Sequence, residues 1–94
     1  MAVQGTTTIN FGAFPGTTDT SVAVTGQASI IAGSLVEAWI RPEATADHDV
    51  MDHIVDPPRV IAADIIAGTG FTIYGFTTDE NRHYGQYTVA WVWN

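Results

Sequence analysis

Apolar and polar positions alternate with a period of two along most of the chain. Thr7, Ile9 and Phe11 alternate with Thr6, Thr8 and Asn10, and the turn cluster Gly12-Ala13-Phe14-Pro15-Gly16 ends the run. Thr20, Val22 and Val24 then share a face opposite Ser21, Ala23 and Thr25. Gly26 and Gly33 bracket the apolar run Ala28–Ala32, which reads as a strand or a buried turn. Val36, Ala38 and Ile40 alternate with Leu35, Glu37 and Trp39 until Pro42 stops them. Arg59–Ile66 reads as a strand, and Ala67-Gly68-Thr69-Gly70 as a tight turn. Phe71, Ile73 and Gly75 alternate with Thr72, Tyr74 and Phe76. After a polar connection, Thr78-Asp79-Glu80-Asn81, a last strand runs from Tyr84 or Gly85 to Trp93. Tyr87, Val89, Trp91 and Trp93 share one of its faces. Such runs, bounded by Gly and Pro, are strand signals. They predict an all-β chain: one small antiparallel β-sandwich over residues 1–94, jelly-roll or immunoglobulin-like, with six to seven strands. No helix longer than two turns is expected. The expected core is Val36, Ala38, Ile40, Ile61, Ile73, Val89 and Trp91.

Residues 41–58 break the alternation. They hold five of the ten acids (Glu43, Asp47, Asp49, Asp52 and Asp56) and two of the three histidines. A short helical turn within 44–53 fits, but the return to Pro57-Pro58 favours a long acidic surface loop. Loops beyond about 12–15 residues are uncommon in compact domains and are often functional.

Composition narrows the function classes. The 94 residues carry three Arg, no Lys and a formal charge of −7, which argues against nucleic acid and rules out a polybasic membrane patch. Without cysteine there is no disulfide framework, Cys-based zinc site or thiol nucleophile. Val60–Ala67, interrupted by Asp64, is far shorter than the ~20 residues of a spanning helix. Met1–Gly5 has neither a basic nor an apolar signal region, so synthesis in the cytosol without processing is expected. Thr is abundant and only 14% of residues are charged, leaving a largely neutral surface that accepts close protein neighbours.

The densest polar constellation is Asp47-His48-Asp49-Val50-Met51-Asp52-His53. On a helical turn His48 and Asp52 fall at i,i+4, as do Asp49 and His53. Imidazole with carboxylate suits Zn, Mn or Ni, so His48, Asp49, Asp52 and His53 are candidate metal ligands. The spacing matches no metal signature, and a solvated acidic loop paired with Arg41 or Arg59 is the preferred reading; no cofactor is expected. Catalysis is not expected either. No serine sits in a Gly-x-Ser-x-Gly elbow, and His83 reads as a polar turn residue with no nucleophile beside it. Glu37 lacks a cleft and a partner acid for glycoside hydrolysis. Gly68-Thr69-Gly70 lacks the lysine of a phosphate loop. Most of the aromatic load belongs to the core, while Trp39, Trp91, Trp93 and Tyr84 are candidates for an interface or a sugar-stacking platform.

Several segments together resemble small proteins encoded among the structural genes of tailed bacteriophages. They are Thr8-Ile9-Asn10-Phe11-Gly12, Val24-Thr25-Gly26-Gln27, Val36-Glu37-Ala38-Trp39-Ile40, Asp47-His48 with Asp52-His53, Gly68-Thr69-Gly70-Phe71-Thr72-Ile73 and Thr88-Val89-Ala90-Trp91-Val92-Trp93. The resemblance spans nearly the whole chain and carries no enzyme motif. It implies a virion component made in the host cytoplasm: a capsid decoration or cement protein, a head-fibre subunit or a tail accessory. The implied partners are capsid or tail proteins and further copies of the chain, a trimer being favoured. The alternative is a receptor- or glycan-binding module of a tail.

Overall fold

In the computed structural model, residues 2–77 and 81–94 are described. Met1 and the Thr78–Glu80 part of the expected polar connection lie outside the described residues. The elements are β1 (Val3–Asn10), β2 (Asp19–Val24), β3 (Val36–Ile40), α1 (Val50–Val55), β4 (Arg59–Ile66), β5 (Gly70–Phe76) and β6 (Gln86–Trp93). The strands form two antiparallel three-stranded sheets, ordered β1-β6-β3 and β2-β5-β4. The chain is an all-β sandwich of six strands among the described residues. Pairing β1 with β6 and β2 with β5 folds the first half of the chain back on the second. This is the winding of a jelly roll.

Alternation decides which side chains meet between the sheets. Ile9, Val24, Phe71, Ile73, Tyr87, Val89, Trp91 and Trp93 are buried there together with Phe11 and Ile30. Val36, Ala38 and Ile40 pack against this core half-buried. Opposite Trp91, β1 carries Gly5, where a Cβ would stand 2.4 Å from the indole Cζ2. The glycine makes room for the indole ring.

Ile61 does not join the core: it is 49% exposed, and Val60, Ala62 and Ile65 face inward instead. Both alternating sets of this strand are apolar, so the pattern leaves its facing open. Pairing with β5 settles it, because Val60 lies opposite Gly75 and Ala62 opposite the buried Ile73. Register shifts between Ala63 and Ile66, where Asp64 has a positive φ of 55° and accepts a hydrogen bond from the Tyr74 hydroxyl. That bond holds the Tyr74 phenol above its ordinary pKa.

Each end of the core is closed by irregular chain. The run Ala28–Ala32, expected as a strand or a buried turn, is an exposed turn in which Ile30 alone is buried and plugs the core. Gly68 N–H donates to the Ile30 carbonyl, and Trp93 Nε1 donates to Gln27 Oε1 at 2.9 Å. The end near the start of β6 is closed by the acidic segment. That segment is not all loop, since it contains α1, six residues long.

Candidate functional site

The short helix α1 stands on its cap. Asp49 is the N-cap; its side chain accepts from Asp52 N–H, and the Asp52 carboxylate accepts from Asp49 N–H, making a reciprocal capping box. A single helix side chain, His53, is buried. Val50, Met51, Ile54 and Val55 point to solvent.

The histidines gather around one tyrosine. The Tyr87 ring stacks on His48 at 4.2 Å between centroids and meets His53 at 5.1 Å and His83 at 5.5 Å, both near edge-on. Phe11 closes the far side. His83, expected as a polar turn residue, is buried; its backbone bridges Thr17 and its Nδ1 lies 3.2 Å from the Tyr87 hydroxyl. Burial pushes the Tyr87 phenol up to about 12, with the nearby charges of Asp56 and Asp52 adding to it. An open cleft of about 230 Å³ leads to this cluster, lined by Asp52, Val55, Asp56, Arg82 and Tyr84 among others.

The chemistry of the cluster follows from what its nitrogens touch. His48 Nδ1 lies 3.1 Å from Asp52 Oδ2, so the expected i,i+4 pair is made. Its Nε2 lies 2.5 Å from the Tyr84 carbonyl oxygen. Both partners are acceptors, so both contacts are satisfied together only when each ring nitrogen carries a proton. His53 Nδ1–H donates to the Asp49 carbonyl at 2.8 Å, and its Nε2 accepts from Thr88 N–H at 3.0 Å. These roles assign the neutral Nδ1–H tautomer. The His53 ring thus has no free lone pair, and both His48 nitrogens face oxygen partners within the chain. The other expected pair, Asp49 with His53, runs through the backbone carbonyl and leaves the carboxylate in the cap.

The donor set therefore does not fit a metal. Among the described residues no three His, Asp or Glu side chains converge on one point, and no buried side-chain polar atom lacks a partner. Burial keeps the Tyr87 phenol protonated at neutral pH.

These groups instead finish the sheet. Where β3 ends at Ile40, the next residues of the β6 edge are Thr88 and Gln86. Thr88 N–H is taken by His53 and its carbonyl accepts from Arg41 N–H. Gln86 N–H donates to Asp47 Oδ2 at 2.8 Å, and its carbonyl accepts from the Thr45 hydroxyl at 2.7 Å. Gly85 permits this approach: its φ is +70°, and a Cβ there would stand 2.6 Å from that of Asp47. The acidic segment thus acts as a continuation of β3, mostly through side chains.

The aromatic candidates separate. Trp91 and Trp93 are buried in the core, at 7% and 6% exposure, so they supply no interface; the face they share with Tyr87 and Val89 is the inner one. Trp39 is 48% exposed on the outer face of the first sheet, opposite Ala90. With Gln4, Thr6 and Arg41 it lines a second open cleft of about 230 Å³. Tyr84, partly exposed, stands between Phe14 and His48. Sequence reasoning set His83 aside as a turn residue and missed Arg82, because both reach the cleft from the connection before β6, far from α1 along the chain. Comparison with models of known families, with curated proteins and with solved structures finds no match to this chain.

Proposed function

We propose that the chain is a non-catalytic structural subunit of a tailed-bacteriophage virion, of the capsid-decoration, cement or head-fibre type, that binds itself and capsid or tail proteins. One observation supports this reading best. The polar groups that would carry chemistry are turned inward to hold the fold, while large apolar side chains remain outside. Val50, Met51, Ile54 and Val55 project from α1, and Phe14 and Leu35 are about three-quarters exposed elsewhere. Exposed apolar side chains grouped on one element are the mark of a contact surface rather than a reaction centre. The sequence resemblance supplies the kind of assembly. Co-sedimentation with assembled heads and tails is the test: the protein is expected to sediment with one of them, and Met51→Glu/Val55→Glu to weaken this at least tenfold. Absence from both fractions overturns the reading.

A glycan-binding module is the second reading, favoured by the exposed Trp39 indole with the amide of Gln4, the hydroxyl of Thr6 and the guanidinium of Arg41 beside it. An aromatic face with polar rims suits a sugar ring. Glycan-array binding abolished by Trp39→Ala, with particle binding intact, supports this alternative over the first.

A further inference from the structure

We infer that β1 is a self-pairing edge, and that two copies of this chain join through it in antiparallel register to make one continuous six-stranded sheet. This deepens the assembly reading by naming the surface through which the chain binds itself.

Backbone parity shows which groups are free. Arg41 N–H donates to the Thr88 carbonyl, and Leu35 exchanges both bonds with Asn94, so the even-numbered residues of β6 bond toward β3. Its odd-numbered residues bond toward β1, where their partners are Val3, Gly5, Thr7 and Ile9. The N–H and C=O groups of Gln4, Thr6 and Thr8 therefore point away from β6. The next residue of this series, Asn10, confirms the direction: its carbonyl accepts from the Thr20 hydroxyl of β2. Past Asn10, no backbone bond among the described residues reaches this edge, and Gln4, Thr6 and Thr8 are exposed.

The other edges carry the devices that block strand addition. β3 is five residues long with Glu37 near its centre. β2 begins at Asp19, and β4 has Arg59 at its start and a bulge at Asp64. The edge of β6 beyond β3 is covered by the acidic segment. β1 runs eight residues, Val-Gln-Gly-Thr-Thr-Thr-Ile-Asn, with no charge, no proline and no register shift. Charge, proline, bulges, shortness and covering are the means by which edges are kept apart. β1 has none of them.

A second copy is the occupant that fits. The chain carries −7, so two copies repel wherever their acids approach, and β1 is neutral. Its free groups are also self-complementary. With a two-fold axis at Thr6, Gln4 faces Thr8 of the other copy, Thr6 faces Thr6, and Thr8 faces Gln4. Each of these residues then donates one backbone bond and accepts one. Threonine pairs directly across antiparallel strands are favourable. The contact is isologous and closes after two subunits, so the unit it makes is a dimer.

Light scattering coupled to size exclusion, at 10–100 µM protein (an order-of-magnitude range), reads the outcome. The wild-type chain is expected at twice its 10.1 kDa mass. Thr6→Pro removes an N–H that has no partner among the described residues, so it should leave the circular dichroism spectrum intact and lower the dimer fraction at least tenfold. Thr6→Lys/Thr8→Lys does the same by charge and keeps the test decisive should the proline variant not fold. A wild-type monomer, or a dimer that persists in the lysine variant, overturns the inference. So does a wild-type monomer that binds a capsid or tail protein through this edge, with binding lost in the variants. Co-sedimentation with particles is measured separately. A monomeric protein that still sediments with heads or tails defeats the edge pairing alone, and a dimer that sediments with neither defeats the virion reading alone.

Discussion

Replacing His53 by alanine tests whether the histidine–aspartate segment holds the sheet together. The imidazole is 2% exposed and bonded at both nitrogens. Truncation leaves Thr88 N–H, in a buried residue, without its acceptor, which costs about 1–3 kcal/mol. Losing the ring from beside Tyr87 adds about 1–2 kcal/mol of packing. The freed Asp49 carbonyl sits in an exposed residue and finds water, so it adds little. The sum, about 2–5 kcal/mol, is a large part of a typical stability of ~5–15 kcal/mol. With a urea slope of about 1–2 kcal/mol/M, the midpoint should fall by more than about 1 M. Met51→Ala, an exposed change on the same helix, should stay within about 0.5 kcal/mol of wild type. Hydrogen exchange gives a local readout: the Thr88 amide should lose protection beyond its neighbours. Long-range nitrogen–proton spectra of the wild type should show His53 as the neutral Nδ1–H tautomer. A midpoint shift under about 0.3 M, or a Thr88 amide that exchanges no faster than Ala90, would refute the edge-covering argument. Zinc that raised the melting temperature of the wild type and not of the variant would return these residues to a metal site.

Three further outcomes follow from the same geometry. Folded Tyr87 keeps its proton up to about pH 12, while an unfolded phenol loses it near 10. The folded state thus binds the extra proton in between, so stability is full below about pH 10 and declines as pH rises from there toward about 12. Tyr87→Phe should flatten this decline, and an equally steep decline in the variant would contradict it. Ile73→Ala should cost about 2–5 kcal/mol in urea unfolding, whereas the same change at the outward-facing Ile61 should cost under about 1 kcal/mol. Gly5→Ala should cost about 1–3 kcal/mol against the Trp91 indole and become neutral or stabilising in a Trp91→Leu background. Equal costs in the two backgrounds would show that the indole is not what crowds Gly5.

The sandwich was legible because the strands repeat with period two and the turns carry their own residues. The limits Arg59–Ile66 and the inward set Phe71, Ile73 and Gly75 read directly from the chain. Ile61 was not legible, since its strand is apolar on both alternations and only cross-strand register chooses between them. The helix was hidden for a different reason. Its six residues show no amphipathic stripe, because a single buried histidine and a capping box hold it in place of an apolar face. The His48–Asp52 contact followed from spacing alone. The gathering of three histidines on Tyr87 did not, since it joins segments that only the closed sandwich brings together. Trp91 stands in the expected core and is found there; its second placement, with Trp93, as an interface candidate sets aside the alternation that groups both with Tyr87 and Val89.

The acidic segment also bears on the edge pairing proposed for β1. Five carboxylates lie between Glu43 and Asp56, and the sequence reading pairs them with Arg41 or Arg59. Glu43 does bind Arg41, at 2.9 Å. Three others are held differently: Asp47 accepts from Gln86 N–H, Asp49 from Asp52 N–H, and Asp52 from Asp49 N–H while contacting His48. Arg59 lies over the Phe76 ring instead. Backbone N–H groups thus do the work assigned to cations. The segment therefore remains a concentrated negative field at one end of the molecule, on the β3 side of β6. Two copies are driven apart there over roughly a Debye length, ~8 Å at physiological ionic strength. The neutral β1 lies on the opposite side of β6. The residues that seal one edge of the first sheet thereby direct like copies toward the other.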